Sequence, residues 1–205
     1  MSLVTGDLVS HPGQTEAARD IDRVLPAVRP LTRTVLVVGF ALLTWAGARA
    51  SVPLPFTPVP GTLQTLAVLL AGGLLGARAG AASQMAYLLI GLARIPVFAL
   101  PGAGPAYFLE PTKSYLVGFV VAAWTTGWLV RRLRGFGIWG TGAAFLAGSL
   151  AVHACGVAWL IVFMGDPAAA WRAGSMPFLL FDLAKVMMAT GIHAGLLRWK
   201  VSTRH

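Results

Sequence analysis

The sequence predicts an all-α integral membrane protein that crosses the bilayer with six helices. Its 205 residues are 57% hydrophobic and only 11% charged, whereas soluble domains carry about 25% charged residues. The hydrophobic residues form runs long enough to cross a bilayer, which takes about 20 residues, and most basic residues lie between the runs. This distribution argues against a nucleic-acid interface despite the net charge of +9. The predicted spans are residues 33–50, 62–76, 81–97, 112–130, 139–164 and 176–197.

The longest segment outside the spans is at the N-terminus. Residues 1–30 are polar and interrupted by proline, and they lack the basic start and apolar core of a secretory signal, so we expect a flexible cytoplasmic arm. Residues 31–200 then form one transmembrane substrate-binding domain, and residues 201–205 form a tail. The single cysteine, Cys155, lies in an apolar run, which leaves no disulfide framework and no thiolate metal cluster.

The first span is followed by a segment that cannot continue as a helix. Near its end the span turns to small residues, and Ala46 and Ala50 have the four-residue spacing that lets another helix approach closely. Residues 51–61, the Pro-rich segment, contain four prolines, which interrupt helical hydrogen bonding. Irregular backbone at membrane depth persists only where it is buried in protein or lines a wet cavity. We therefore expect the Pro-rich segment to form a lid or wall of a binding site.

The middle spans carry a few polar side chains. The second span is short and Leu-rich, and the third contains Gln84 and Tyr87, one helical turn apart, which are equally compatible with substrate contact and with interhelical packing. A loop rich in Gly and Pro, residues 100–110, leads into the fourth span, which ends in a basic loop. The fifth span contains His153, for which we expect an interhelical hydrogen bond rather than a ligand contact or proton relay. It ends at about Met164, and the pair Asp166-Pro167 breaks the apolar run.

The sixth span contains the two charges on which the functional argument depends. Asp182 and Lys185 lie inside the apolar run, where each charge costs about 2.5–3.5 kcal/mol on insertion scales. Their i, i+3 spacing puts both side chains on one helix face, so both can point into one cavity. An ionisable residue inside a membrane indicates a functional site. The alternative is a purely structural Asp–Lys pair.

The distribution of basic residues predicts that both termini are cytoplasmic. With the N-terminus inside, the inner segments hold most of the Lys and Arg residues. The outer segments hold Arg49, Arg94, Lys113 and Arg172. Asp182 then lies about seven residues below the outer end of the sixth span, at a depth of roughly 10 Å. The Pro-rich segment and the 100–110 loop lie on the same side, so we expect a pocket that opens outward beneath two loops.

Several motifs resemble those of the BioY family, over residues from about 35 to 198. They are Val52-Pro-Leu-Pro-Phe-Thr-Pro-Val-Pro60, Tyr87-Leu-Leu-Ile-Gly-Leu, Ile95-Pro-Val-Phe98, Glu110-Pro-Thr-Lys-Ser-Tyr115 and Asp182-x-x-Lys185. Members of this family are the biotin-binding S components of energy-coupling factor (ECF) transporters. The resemblance implies a six-helix bundle that binds biotin near its outer surface and works with a transmembrane coupling (T) subunit and cytoplasmic ATPase subunits.

The implied function is high-affinity biotin binding from outside and uptake across the bacterial inner membrane, as the S component of an ECF-type ABC transporter. This chain has no Gly-x-x-x-x-Gly-Lys-Ser/Thr stretch, so ATP hydrolysis falls to the partner subunits and we expect no enzyme activity. We expect the lipid bilayer as surroundings and no metal or cofactor. A homo-oligomer remains compatible with the sequence.

The expected site follows from the resemblance and from the chemistry of biotin, whose ureido group has two N–H donors and one oxygen acceptor. Asp182 suits a ureido N–H, and Lys185 suits either the ureido oxygen or the carboxylate. The expected ligand contacts are Asp182, Lys185, Gln84, Tyr87, Phe56 and Thr57 as the lid, and Phe98 and Tyr107 as apolar walls. Thr62 and Gln64 are expected to bind the backbone of the Pro-rich segment. Coupling is expected at Ala41, Ala46 and Ala50, although Val37 departs from the family's Ala-x-x-x-Ala pattern.

Two other classes of protein are considered. The first is a solitary or ion-coupled secondary transporter of a small carboxylate-bearing vitamin, which would use Asp182, Lys185 and His153. Such carriers often contain an internal repeat, and none is evident here. The second is an intramembrane enzyme, which is disfavoured because the sequence has no metal-spaced histidine pair and no nucleophile beside a base.

Overall fold

The computed structural model describes residues 30–53, 55, 57, 59–100, 102–109 and 114–202. Within these residues the chain is helical between its loops and contains no strand beyond an isolated bridge between Val52 and Gly61. The helices are α1 Pro30–Arg49, α2 Gln64–Leu75, α3 Ala77–Leu92, α4 Ser114–Arg132, α5 Gly137–Met164, α6 Pro167–Gly174 and α7 Leu179–Ser202. All except α6 correspond to the predicted spans, so the six-helix, all-α prediction is confirmed.

Helix α6 lies where the sequence predicts only an outer loop. Asp166 adopts an extended conformation, and its carboxylate accepts hydrogen bonds from the backbone N–H groups of Ala168 and Ala169 at 2.8 and 3.2 Å. Pro167 occupies the first helical turn, where its missing N–H costs nothing. The Asp-Pro pair that ends the fifth span therefore also starts a new short helix, because aspartate is a favoured N-cap.

The third helix lies four to five residues earlier than the sequence predicts. It starts directly after Gly76, whose φ of 80° lets the chain reverse between α2 and α3. It ends at Leu92, and Arg94 then adopts a φ of 67°. Residues 93–97 therefore belong to the loop after α3 rather than to the span.

Three segments are long and apolar enough to cross a membrane among the residues that the structure describes: Leu31–Arg49, Arg134–Met164 and Pro167–Trp199. Helices α2 and α3 have 12 and 16 residues, which at 1.5 Å per residue are shorter than a hydrocarbon core of about 30 Å. Helix α4 has 19 residues but is less apolar. The three shorter or more polar helices are consecutive in the chain and pack against one another.

Helix α4 packs against α2, α3 and α5, whereas α7 packs against α5 and α2. Glycine permits a close approach of α2 and α4, because a Cβ at Gly72 would collide with the carbonyl oxygen of Ala123. The outside of the bundle is apolar, with Val162, Leu180 and Trp139 among its most exposed side chains. An apolar exterior with charged groups inside is the arrangement expected of a protein in lipid.

Candidate ligand-binding site

Asp182 and Lys185 lie on the inner face of the first turns of α7. The two residues are only 7% and 9% exposed, whereas the neighbouring Leu180 and Phe181 are 78% and 62% exposed. The Lys185 Nζ donates a hydrogen bond of 2.7 Å to Asp182 Oδ1. Pairing reduces the cost of burying both charges, because each neutralises the field of the other.

The second carboxylate oxygen of Asp182 is bound from another helix. His153 Nε2 on α5 lies 2.7 Å from Asp182 Oδ2, and His153 Nδ1 lies 2.9 Å from the hydroxyl oxygen of Ser175. The interhelical hydrogen bond expected for His153 is therefore present. Sequence analysis did not single out Ser175, since a serine in a turn between two helices is common and carries no distinct signal.

A cavity of about 70 Å³ adjoins these charged groups. It has room for several water molecules, since one water needs about 10–15 Å³. Its polar lining consists of Thr62, Gln64, Thr65, His153, Asp182 and Lys185. Its apolar and aromatic lining consists of Val59, Pro60, Ala99, Tyr107, Tyr115, Leu116, Phe119, Val152 and Phe178. Three ionisable groups, two hydroxyls and one amide beside an apolar and aromatic lining suit a small ligand with a polar head and an apolar body.

Gln84 and Tyr87 do not line this cavity. The buried Gln84 amide bonds with the hydroxyls of Thr44 and Ser83, at 3.2 and 3.0 Å. The Tyr87 hydroxyl donates to the carbonyl oxygen of Val97 at 2.9 Å and accepts from Gln64 Nε2 at 2.8 Å. Of the two roles left open by the sequence, the geometry therefore favours packing.

The same contacts correct the expectation for Gln64. Its side-chain amide binds Tyr87 on α3, not the backbone of the Pro-rich segment, and it lines the cavity. The Thr62 hydroxyl accepts a long hydrogen bond of 3.4 Å from the Gln64 backbone N–H. Tyr87 thus positions a cavity residue without reaching the cavity itself.

The two expected aromatic walls have different locations. Phe98 is fully buried, stacks on Tyr107 with a centroid separation of 4.8 Å and meets Tyr87 and Phe108 edge to face. It does not line the cavity, whereas Tyr107 does. The Tyr107 hydroxyl donates to the carbonyl oxygen of Ala99 at 3.0 Å. Phe98 is thus a core residue that supports the wall formed by Tyr107.

Thr57 holds the Pro-rich segment against α6, because its hydroxyl donates a 2.6 Å hydrogen bond to the carbonyl oxygen of Ala173. It does not line the cavity, although Val59 and Pro60 of the same segment do. Phe56, the other expected lid residue, lies outside the described residues. The ends of the segment are joined by two backbone hydrogen bonds between Val52 and Gly61, at 2.8 and 2.9 Å.

The three residues expected to couple to a partner do not share one surface. Ala46 and Ala50 are exposed, but Ala41 is buried in the core of the bundle. Ala41 lies on the face of α1 that packs inward, so it is not available to a docking partner. The expectation for Ala41 is therefore wrong.

The chain is similar to known proteins over most of its length. The model of the BioY family matches residues 17–201. "Biotin transporter BioY" of Rhizobium etli is 34% identical over 170 residues, covering 80% of this chain and 90% of that protein. The protein of the same name in Thermotoga maritima is 35% identical over 162 residues, covering 79% and 94%. "Probable biotin transporter BioY" of Lysinibacillus sphaericus is 47% identical over 100 residues, about half of each chain.

One solved structure has the same fold. It is a crystal structure of the S-component for biotin from an ECF-type ABC transporter, with a TM-score of 0.75, covering 82% of this chain and 92% of that one. The two sequences are 24% identical over the alignment, so the likeness concerns the fold.

Proposed function

The chain belongs to the BioY family, and on that premise we propose that it binds biotin from outside and takes it up across the bacterial inner membrane as the S component of an ECF-type transporter. The relatives that match most of its length are named biotin transporters. The observation that carries the proposal for this chain is a buried Asp182–Lys185 pair on the wall of a cavity beneath the Pro-rich segment.

The two charged groups complement the polar head of biotin. The Asp182 carboxylate accepts a ureido N–H, and a hydrogen bond to a charged group contributes about 1.5–3 kcal/mol. Lys185 donates to the ureido oxygen or to the carboxylate of the valeryl chain. Because Lys185 Nζ has three donors and uses one for Asp182, two remain for a ligand.

The apolar lining complements the rest of the molecule. Tyr107, Tyr115 and Phe119 present aromatic surface to the cavity, which suits the thiophane ring and the methylenes of the valeryl chain. Thr62, just before α2, and Thr65, in its first turn, also line the cavity and offer further hydroxyls. The lining therefore offers polar groups for the ureido head and the carboxylate and apolar groups for the rest of biotin.

The uptake step requires partners, which we propose to be a transmembrane T subunit and two cytoplasmic ATPase subunits. The chain itself carries no nucleotide-binding motif of the P-loop type. The exposed small residues Ala46, on α1, and Ala50, directly after its end, are the candidate docking positions. They leave room for the close approach of a partner helix in the bilayer.

The second candidate is a solitary or ion-coupled transporter of the same vitamin. The observation that favours it is the continuous hydrogen-bonded series from His153 through Asp182 to Lys185, since such groups also serve proton relays. This second function would be supported if proteoliposomes that contain this chain alone took up biotin at a rate that depends on a pH gradient. Uptake that needs the T and ATPase subunits, with none in their absence, would support the S-component function.

Biotin titration of the purified chain tests the binding proposal. We expect submicromolar binding to the wild type and about 10- to 100-fold weaker binding to Asp182→Asn, through loss of a charge-assisted hydrogen bond. Asp166→Asn is the matched control: it makes the same chemical change at the exposed cap of α6, where asparagine caps equally well. No binding near micromolar concentration in the wild type, or equal affinity in both variants and the wild type, would contradict the proposal.

A further inference from the structure

His153 and Ser175 are two buried polar residues that the binding proposal does not use. They complete an unbroken series with the charged pair: Ser175 Oγ to His153 Nδ1 at 2.9 Å, His153 Nε2 to Asp182 Oδ2 at 2.7 Å, and Lys185 Nζ to Asp182 Oδ1 at 2.7 Å. The series connects three parts of the fold: α5, the turn that follows α6, and α7. His153, Asp182 and Lys185 line the cavity, whereas Ser175 does not. Three members of the series therefore form part of the binding site, and Ser175 supports them.

The chemistry of the groups determines where the imidazole hydrogen lies. Asp182 is held by an ammonium and is therefore an ionised acceptor, so the hydrogen between His153 Nε2 and Oδ2 belongs to the imidazole. In the neutral ring Nδ1 is then an acceptor, and the Ser175 hydroxyl donates to it. Asp182 thus selects the tautomer with its N–H at Nε2, and Ser175 satisfies the acceptor Nδ1 on the other side of the ring.

Two hydrogen-bond donors on different helices fix the orientation of the Asp182 carboxylate. Lys185 reaches Oδ1 from the same helix through a flexible four-carbon stem, which restrains the orientation only weakly. His153 reaches Oδ2 from α5 through a rigid ring that Ser175 fixes at its other side. Without His153, the carboxylate loses the donor that fixes Oδ2 and can rotate towards Lys185, which changes the orientation that it presents to the cavity.

We propose that His153, with its ring oriented by Ser175, is the positioning residue that presents the Asp182 carboxylate to the ureido N–H of biotin. The inference rests on the proposed biotin-binding function. It assigns to His153 an effect on the ligand that acts through Asp182 and requires no contact between the imidazole and biotin. A histidine that merely joined α5 to α7 would change stability without changing affinity through Asp182.

A double-mutant cycle distinguishes a positioning role of His153 from a purely structural link between α5 and α7. His153→Phe keeps a ring of similar size and removes the N–H, and we expect about 10- to 100-fold weaker biotin binding. In the Asp182→Asn background the same change should weaken binding by less than about threefold, because the two residues act as a unit. His193→Phe is the matched control, since His193 is also buried but faces Phe145 and does not line the cavity; its affinity should equal that of the wild type.

Rescue and a spectroscopic measurement complete the test. His153→Gln retains an N–H near the position of Nε2, and we expect its affinity within about fivefold of the wild type. Nitrogen-15 spectra of the wild type, with the His153 signals identified from their loss in His153→Gln, should show Nε2 carrying hydrogen.

An Nε2 without hydrogen, or an equal effect of His153→Phe in both backgrounds, would overturn the positioning role. The spectrum needs no ligand, so it reports on the His153–Asp182 bond even if the chain fails to bind biotin. Absence of biotin binding in the wild type would instead remove the proposed function.

Discussion

The hydroxyl of Tyr115 donates a 2.6 Å hydrogen bond to the carbonyl oxygen of Gly174. This bond ties the first turn of α4 to the last residue of α6, one residue before Ser175. Tyr115 also lines the cavity, and its ring fills the space beside Gly156, where a Cβ would collide with it. One tyrosine therefore joins the wall of the cavity to the turn that carries the partner of His153.

Removing this hydroxyl should destabilise the fold. We expect Tyr115→Phe to lower the free energy of unfolding by about 1–2 kcal/mol, because the buried carbonyl of Gly174 is left without its donor. Denaturation in mixed micelles measures the change. Thr141→Val is the control, since its exposed hydroxyl bonds only within the first turn of α5, and a change of less than about 0.5 kcal/mol is expected there. Equal effects of the two variants would contradict the structural role of Tyr115.

Replacing only one member of the charged pair should destabilise the protein more than replacing both members. Lys185→Met leaves a buried carboxylate with His153 as its remaining protein donor, and we expect a loss of about 3 kcal/mol in stability. Asp182→Asn combined with Lys185→Met buries no net charge, and we expect it to be the more stable of the two variants. Denaturation of both proteins under the same conditions tests the order of stability, and the reverse order would show that the pair is not effectively buried.

The bond between Thr57 and Ala173 should control how long biotin stays bound. Thr57→Val removes a hydrogen bond worth about 1 kcal/mol, which corresponds to roughly a fivefold faster release if the Pro-rich segment must lift from α6 first. Release of labelled biotin after a chase with unlabelled biotin gives the rate. Thr57→Ser keeps the hydroxyl and should release biotin at the wild-type rate. An unchanged rate in Thr57→Val would mean that biotin leaves by a path that does not need this contact to open.

Enlarging Ala46 should separate binding from uptake. Ala46 is exposed on α1, so Ala46→Leu should bind biotin with wild-type affinity, while a bulkier surface should weaken the proposed contact with a T subunit. Ala41→Leu is the comparison, because it overfills the core and should lower stability by about 1–3 kcal/mol. Biotin binding by the purified chain and uptake by cells that also produce the partner subunits measure the two effects. Wild-type uptake by Ala46→Leu would place the docking surface elsewhere.

The sequence by itself determined the class of fold and the elements that carry the charges. Runs of apolar residues predict helices in lipid because every backbone polar group must be satisfied within the segment. Four prolines predict a break after α1 for an equally local reason. The spacing of Asp182 and Lys185 places them on one face wherever the helix lies, because three residues make most of one turn.

Only the tertiary structure decided which residues meet at the cavity. His153 and Asp182 are 29 positions apart, and Gln64 and Tyr87 are 23 apart, so their contacts depend on how each helix is rotated about its axis. In a soluble protein the apolar stripe of a helix reveals that rotation, but a helix in lipid is apolar on all sides and its sequence periodicity leaves the inner face unmarked. For this reason the sequence did not reveal that Ala41 faces the core or that Tyr115 lines the cavity. Phe98 and Ser175 lie in the connections between helices, so their contacts also depend on how the helices pack.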